Sequence, residues 1–143
     1  MKALLHTLLC TLVVLAAGWA TQSCTHNGGD VSPWWGTWHV ESVEAQGNPV
    51  TTIAGDFFFQ FQGEVVRLSW RNDRYDSAES YGNWSEGQGT ITMRFVNPDA
   101  QPLALPGLGA TTTFTIEHKS HQRIVLSTVA QGASYRYTLK KVV

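Results

Sequence analysis

Charged residues are scarce in this sequence of 143 amino acids. They make up 15% of the chain, and the basic and acidic residues nearly cancel to a formal net charge of −1. The composition therefore provides neither a basic surface for nucleic acid nor an acidic tail for a basic partner. We expect no nucleic-acid partner.

Cysteine is equally scarce. The chain has two cysteines, Cys10 and Cys24, and Cys10 lies within an apolar N-terminal run. If that run is a cleaved leader, Cys24 is left without a disulfide partner, even in a compartment where disulfides form. A lone exported cysteine points to a chemical modification rather than to a disulfide.

Long apolar runs are missing after residue 17. The one run that exists, residues 4–17, follows Lys2 and is too short for a membrane-spanning helix. Its layout is that of an export signal. We predict a signal helix over residues 1–23 and a flexible, polar tether over residues 24–33. The alternative is a buried N-terminal helix.

Motifs of catalysis are missing as well. The sequence has no Gly-x-Ser-x-Gly elbow, no glycine-rich phosphate loop before a helix, and no candidate cysteine nucleophile. His118 and His121 lie three residues apart at a predicted strand end, and the acidic residues of segment 72–79 lack EF-hand spacing. A solvated turn and a solvated loop explain them better. We expect no enzyme activity, no metal and no cofactor.

Short alternating segments fill the rest of the chain, in which glycine is frequent and β-branched and aromatic residues are plentiful. No helical crossover exists to join parallel strands, so the sheet should be antiparallel. Eight strands in hairpin order favour a closed up-and-down barrel, with a Greek-key sandwich as the alternative. The predicted strands are residues 36–46, 56–62, 64–71, 80–86, 90–96, 111–119, 122–129 and 133–142.

Three of the six tryptophans lie within five residues, in the stretch Trp34-Trp35-Gly36-Thr37-Trp38. Such a cluster buries a large apolar area, about 150–250 Å² for each ring. We predict that it forms the plug and the first strand of the barrel. The longest irregular connection, residues 97–110, should form a lid or a rim.

Gly36-Thr37-Trp38 at the start of the first strand resembles the Gly-x-Trp signature of lipocalins. Residues 34–143 as a whole are similar to the short lipocalin-like, calycin-type domains of Gram-negative bacterial lipoproteins. The resemblance implies an eight-stranded barrel around a ligand. It also implies that a basic side chain of the last strand covers Trp38, for which Arg136 and Lys140 are the candidates.

Ala20-Thr21-Gln22-Ser23-Cys24 resembles the cleavage site of a bacterial lipoprotein signal. The resemblance implies that Cys24 becomes the first residue and carries acyl chains such as palmitate, which anchor the protein to a membrane. No aspartate follows Cys24, so the outer membrane is expected, with the domain facing the periplasm or the cell surface. The alternative is ordinary cleavage to a soluble periplasmic protein.

Aromatic side chains alternate through the predicted strands and could line an apolar pocket or fill a solid core. Three arginines also alternate with apolar neighbours. Facing outward they are solvated, and facing inward they would suit a ligand carboxylate. The arginines are Arg67, Arg94 and Arg136. The candidate pocket residues are Phe57, Phe59, Phe61, Trp70, Trp84, Phe95, Tyr135 and Tyr137.

Three functions follow from this pattern. The first is a lipid-anchored envelope barrel that binds a small hydrophobic or amphipathic ligand, and it requires a cavity. The second is a filled barrel that serves as an accessory module of an envelope complex, with an exposed apolar patch around Leu103, Leu105 and Leu108. The third, an enzyme, ranks last because no converging polar groups are recognisable.

Overall fold

A computed structural model describes residues 32–95 and 103–142 of the chain. Residues Pro33–Val143 form one compact unit. The predicted signal helix, the predicted lipidation site Cys24 and the predicted tether up to residue 31 lie outside the described residues. So do residues 96–102, which include much of the predicted rim segment. No helix in the described ranges is long and apolar enough to cross a bilayer.

The described residues form nine strands, eight of them of five residues or more. In chain order they are β1 (Gly36–Ala45), β2 (Asn48–Pro49), β3 (Asp56–Gln62), β4 (Val65–Arg71), β5 (Ser77–Glu86), β6 (Thr90–Arg94), β7 (Thr111–Lys119), β8 (Arg123–Ala130) and β9 (Ala133–Lys141).

The sheet closes on itself. From β3 to β9 each strand pairs antiparallel with the next, and β1 pairs with both β3 and β9. The two-residue β2 adds only a short hairpin to the end of β1. This arrangement confirms the predicted all-β, eight-stranded, antiparallel up-and-down barrel and rules out the sandwich. Closure leaves the eight long strands without a free edge.

A β-bulge in β1 changes which residues face the interior. Val40 pairs with Leu139 and Ser42 pairs with Thr138, so Glu41 has no partner across the strands. Strict alternation predicts Ser42 on the face of Trp38 and Val43 on the other face. The extra residue shifts that phase, and Val43 is buried in the core together with Trp38.

Strand β5 begins three residues earlier than the sequence predicts. Residues 77–79 belong to it, and only residues 72–76 form the loop before it. The reason is a pairing of small with large side chains: Ala78 lies opposite Trp70, and Ser80 lies opposite Leu68. Small residues give no apolar alternation, so the sequence alone shows a polar segment where the structure has a strand.

The interior is mainly apolar, and the buried polar residues are Ser80, Thr112 and Thr138 among those described. The end of the barrel at which β1 begins is closed by Trp34, and we call it the plug end. The opposite end carries the loops 50–55, 72–76 and 103–110, and we call it the loop end. The buried core residues include Trp34, Trp38, Phe59, Phe61, Val66, Leu68, Ile91, Met93, Phe114, Ile124, Leu126, Tyr137 and Leu139.

Candidate functional site

At the plug end a lysine covers the tryptophan of the Gly-x-Trp motif. Lys141 Nζ lies 4.6 Å from the centroid of the Trp38 ring and also donates to the carbonyl oxygen of Trp35. The sequence pointed to Arg136 or Lys140 for this role, and the structure assigns it to Lys141. Partial burial lowers the pKa of the Lys141 amine, because desolvation disfavours the charge.

Strand alternation explains this correction. Residues 137, 139 and 141 face inward, so Arg136 and Lys140 point outward. Arg136 Nε donates to Glu117 Oε2 at 2.8 Å, and its Nη1 lies 3.8 Å from Glu44 Oε2. The period of two already placed Lys141 on the face of Leu139, which is the signal that could have identified it.

Trp34 plugs this end with its indole ring fully buried. Its ring centroid lies 5.4 Å from that of Phe61 and 5.8 Å from that of Trp84. Trp34 Nε1 donates to Glu86 Oε2 at 2.8 Å, and Lys119 donates to the other oxygen of that carboxylate. The Lys119 amine also lies 5.6 Å from the Trp34 ring centroid. The plug is therefore held by apolar, hydrogen-bond and charge contacts together.

The predicted pocket aromatics separate into three groups. Phe61 and Trp84 pack on the plug, and the ring centroid of Phe59 lies 6.1 Å from that of Phe61. A second set also packs in or against the core: Phe95, Tyr135 and Tyr137. Of the predicted residues, Phe57 and Trp70 line a cleft, and they pair across β3 and β4 at the loop end.

The cleft has a volume of about 440 Å³, which lies within the usual range for small-molecule sites. It lies between the loop 50–55 and the loop 103–110. Within residues 32–95 and 103–142, its lining residues include no charged side chain, so this part of the lining is mainly apolar. The cleft is lined by Thr52, Ile53, Ala54, Phe57, Trp70, Leu103, Ala104 and Pro106.

Trp70 fixes one wall of the cleft. Its Nε1 donates to the carbonyl oxygen of Ala54 at 2.6 Å, which ties the strand β4 to the loop 50–55. Gly55 is required beside it. Its φ is +86°, and a Cβ there would lie 2.5 Å from Trp70 Nε1 and 2.7 Å from the Arg71 carbonyl oxygen.

Tyr137 fixes the other wall. Its hydroxyl donates to the carbonyl oxygen of Pro106, and burial raises the pKa of this phenol, so it stays a donor at neutral pH. Leu105 beside it is 2% exposed and belongs to the core. The sequence placed Leu105 in an exposed apolar patch. In the structure, the Leu105 side chain points into the mouth of the barrel, while Leu103 and Leu108 are partly buried.

The described lining of the cleft offers mainly apolar contacts and no group placed for metal chemistry. Among residues 32–95 and 103–142, no group of three or more histidine, cysteine or acidic side chains is placed to hold a metal. Sequence reasoning missed Ile53, Ala54 and Pro106 as lining residues. They lie in loops, where no period-two pattern tells which way a side chain points.

Two solved structures are similar to this chain in fold. One is a lipocalin-like protein from Bacteroides uniformis ATCC 8492, with a TM-score of 0.63 and 15% identity over 78% of this chain and 100% of that chain. The other is an uncharacterized protein from Bacteroides eggerthii DSM 20697, with a TM-score of 0.61 and 16% identity over 76% of this chain and 99% of that chain.

No protein-family profile matches the sequence, and no curated protein matches it. At 15% and 16% identity, the two structural similarities concern the fold alone. They agree with the predicted lipocalin-like architecture. The chain therefore has a lipocalin-like fold, a closed antiparallel barrel with a mainly apolar cleft at its loop end.

Proposed function

We propose that this protein is a lipid-anchored envelope protein that binds a small hydrophobic or amphipathic molecule in its loop-end cleft, without catalysing a reaction. The observation that carries the proposal is the cleft between Trp70 and Pro106, which has a volume of about 440 Å³ and whose described lining residues include no charged side chain. Because the interior below is packed, the ligand sits at the mouth of the barrel.

The two walls are suited to such a ligand. The indole of Trp70 and the ring of Phe57 supply flat apolar area, which ligand sites use for affinity. Each wall is held by one hydrogen bond from a barrel aromatic, Trp70 to Ala54 and Tyr137 to Pro106. Walls held in this way reduce the ordering cost of binding.

The proposed setting is the outer membrane, with acylated Cys24 as the anchor and a periplasmic or surface-facing domain. The export-signal layout and the lone cysteine support it. Metabolic labelling with a palmitate analogue in a bacterial host tests it. Label should appear on the wild-type chain and be lost in Cys24→Ser. Equal labelling of both chains contradicts the anchor.

Ligand binding is tested on residues 24–143 with Cys24→Ser, by titrating a fatty acid and an apolar dye while recording tryptophan fluorescence. We expect saturable quenching or energy transfer at micromolar ligand. Ile53→Asp places a charge in the apolar cleft and should weaken binding at least about tenfold. A flat titration on folded protein contradicts the ligand-binding function for these ligand classes.

Val129→Asp is the matched control, because Val129 is 74% exposed and is not among the cleft residues. It introduces the same charge at an apolar position outside the cleft. Binding should match the parent protein. If Val129→Asp weakens binding as much as Ile53→Asp, the ligand is not held in the cleft.

A filled barrel that acts as an accessory module of an envelope complex is the second candidate. The specific observation in its favour is Leu105, which is buried in the barrel mouth next to the Tyr137–Pro106 hydrogen bond. This candidate predicts that no apolar ligand saturates the cleft. It also predicts that crosslinking in intact cells captures a defined protein partner.

A further inference from the structure

The solvent-facing side of strands β3–β6 carries mostly polar side chains. The strand register places Gln62, Val65, Asn83 and Arg94 side by side across four strands. A parallel row contains Gln60, Arg67 and Tyr81. Three side-chain amides and two arginines thus share one continuous sheet face.

Tyr81 stands on this face with 52% of its surface exposed. Its hydroxyl donates to Glu79 Oε2 at 2.7 Å, and Arg67 Nη1 donates to Glu79 Oε1 at 3.1 Å. One carboxylate therefore holds both neighbours and neutralises Arg67. Arg67 Nε is buried and has no hydrogen-bond partner among the described residues.

Two grooves flank the Tyr81–Asn83 segment. One has a volume of about 360 Å³ and is lined by Gln60, Gln62, Val65, Arg67 and Tyr81. The other has a volume of about 490 Å³ and is lined by Asn83, Trp84, Ser85, Thr92 and Arg94.

Arg94 differs from Arg67 in its surroundings. Its side chain makes no ion pair or hydrogen bond to any residue within the described ranges, and it is exposed on the second groove. Asn83 pairs directly with Arg94. Tyr81, two residues before Asn83 on the same strand, is therefore the diagonal neighbour of Arg94. Diagonal positions of adjacent strands lie about 7–8 Å apart, which is within reach of one ligand for long side chains.

We propose that this face binds an acidic saccharide, with a sugar ring on Tyr81 and its carboxylate on Arg94. A flat aromatic ring matches the apolar face of a pyranose. The guanidinium fork matches a carboxylate, and the amides of Gln60, Gln62 and Asn83 supply both donors and acceptors for hydroxyl groups.

The charge on this face favours that ligand over other anions. Glu79 pairs with Arg67, so among the described lining residues of the two grooves Arg94 is the charged side chain without an ion pair. A nucleic acid or an anionic bilayer is bound by many basic side chains together, and one arginine does not provide that field. A sugar unit that carries one carboxylate and several hydroxyl groups matches Arg94 and the amide side chains around it.

The test uses the full chain in a polyoxyethylene detergent, since sugar-based detergents would compete. Calorimetric titration with oligogalacturonate should show saturable binding, weakened about tenfold or more by Arg94→Gln and by Tyr81→Ala. Arg123→Gln is the matched control, because Arg123 is exposed on β8, and it should leave binding unchanged. Absence of binding to the wild-type chain overturns the proposal.

The ligand side provides a second test that does not depend on a variant folding correctly. Methyl-esterified oligogalacturonate keeps the sugar rings and removes the carboxylates, so it should bind at least about tenfold more weakly to the wild-type chain. Equal binding of the ester overturns the carboxylate contact. Poly-L-glutamate that binds as tightly as oligogalacturonate shows attraction by charge alone and also overturns the proposal.

Discussion

Lys141 Nζ lies 4.6 Å from the ring centroid of Trp38, so the last residue of β9 covers the motif tryptophan of β1. Trp38 Nε1 in turn donates to the carbonyl oxygen of Trp34 at 2.7 Å. These contacts connect the first strand, the last strand and the plug residue. They close the barrel at the same end at which the described chain begins.

Replacing Lys141 by methionine should lower the free energy of unfolding by about 0.5–2 kcal/mol, the range of a cation–π contact. Methionine keeps much of the apolar stem but loses the cation and its bond to the Trp35 carbonyl. Urea denaturation at neutral pH measures the difference. Lys140→Met on the outer face is the control, and a loss of equal size there would contradict this role of Lys141.

Removing the Glu86 carboxylate should loosen the plug. Glu86→Ala takes away the acceptor of Trp34 Nε1 and the partner of Lys119, and we expect a loss of about 1–2 kcal/mol. Hydrogen exchange should rise in residues 33–36 before it rises in the core strands. Glu41→Ala, on the exposed bulge of β1, is the comparison variant and should leave exchange in that segment as it is in wild type.

Glu117 should make the free energy of unfolding of the barrel depend on pH in the acid range. Its hydrogen bond from Arg136 holds the pKa of this carboxyl below its usual value near 4.5. A lowered folded-state pKa contributes stability above the unfolded value, and that stability is lost as pH falls through the folded value. Wild type and Glu117→Gln should therefore differ at neutral pH and converge once the pH falls below the lowered folded-state pKa of Glu117.

The Arg136→Gln background provides the control for this pH effect. Without the guanidinium, Glu117→Gln should have a smaller effect on how the free energy of unfolding depends on pH, because only the weaker hydrogen bond from Ser127 is left to lower the pKa of Glu117. Denaturant titrations at several pH values between about 3 and 7 measure both pairs. An unchanged pH dependence in the Arg136→Gln background would show that another group causes it.

Gly55→Ala should distort the cleft and destabilise the fold by about 1–3 kcal/mol. The new Cβ would meet Trp70 Nε1 at 2.5 Å, in addition to the strain of a φ of +86°. Gly47→Ala separates the two effects, because Gly47 has a φ of +78° but a Cβ added there would have no atom within 4 Å. Thermal unfolding should show a smaller loss for Gly47→Ala. Equal losses of thermal stability would mean that the contact between the new Cβ and Trp70 does not destabilise the fold.

The fold was predictable because alternation and turn residues are local signals. Strands β3 and β7 match their predicted bounds. The bulge at Glu41 and the early start of β5 were not predictable, since both depend on side chains across the sheet. Ala78 can be assigned to a strand only when its pairing with Trp70 is known.

The candidate site was predictable only in part. Alternation identified Phe57 and Trp70 as inward-facing aromatics, but it could not separate the mouth of the barrel from its packed interior. That distinction depends on where the loops return, and Leu105 of one loop is buried in the same core cluster as Phe59 and Tyr137. Loop paths depend on long-range contacts such as the Tyr137–Pro106 hydrogen bond.

The most direct test of the ligand-binding function is a nuclear magnetic resonance titration that follows the tryptophan indole N–H signals while decanoate is added. The Trp70 indole lies in the cleft wall, whereas those of Trp34 and Trp38 are buried at the plug end. We predict a saturable shift of the Trp70 signal, with the other two unchanged. A Trp70 signal that stays fixed at saturating ligand would contradict binding in the cleft.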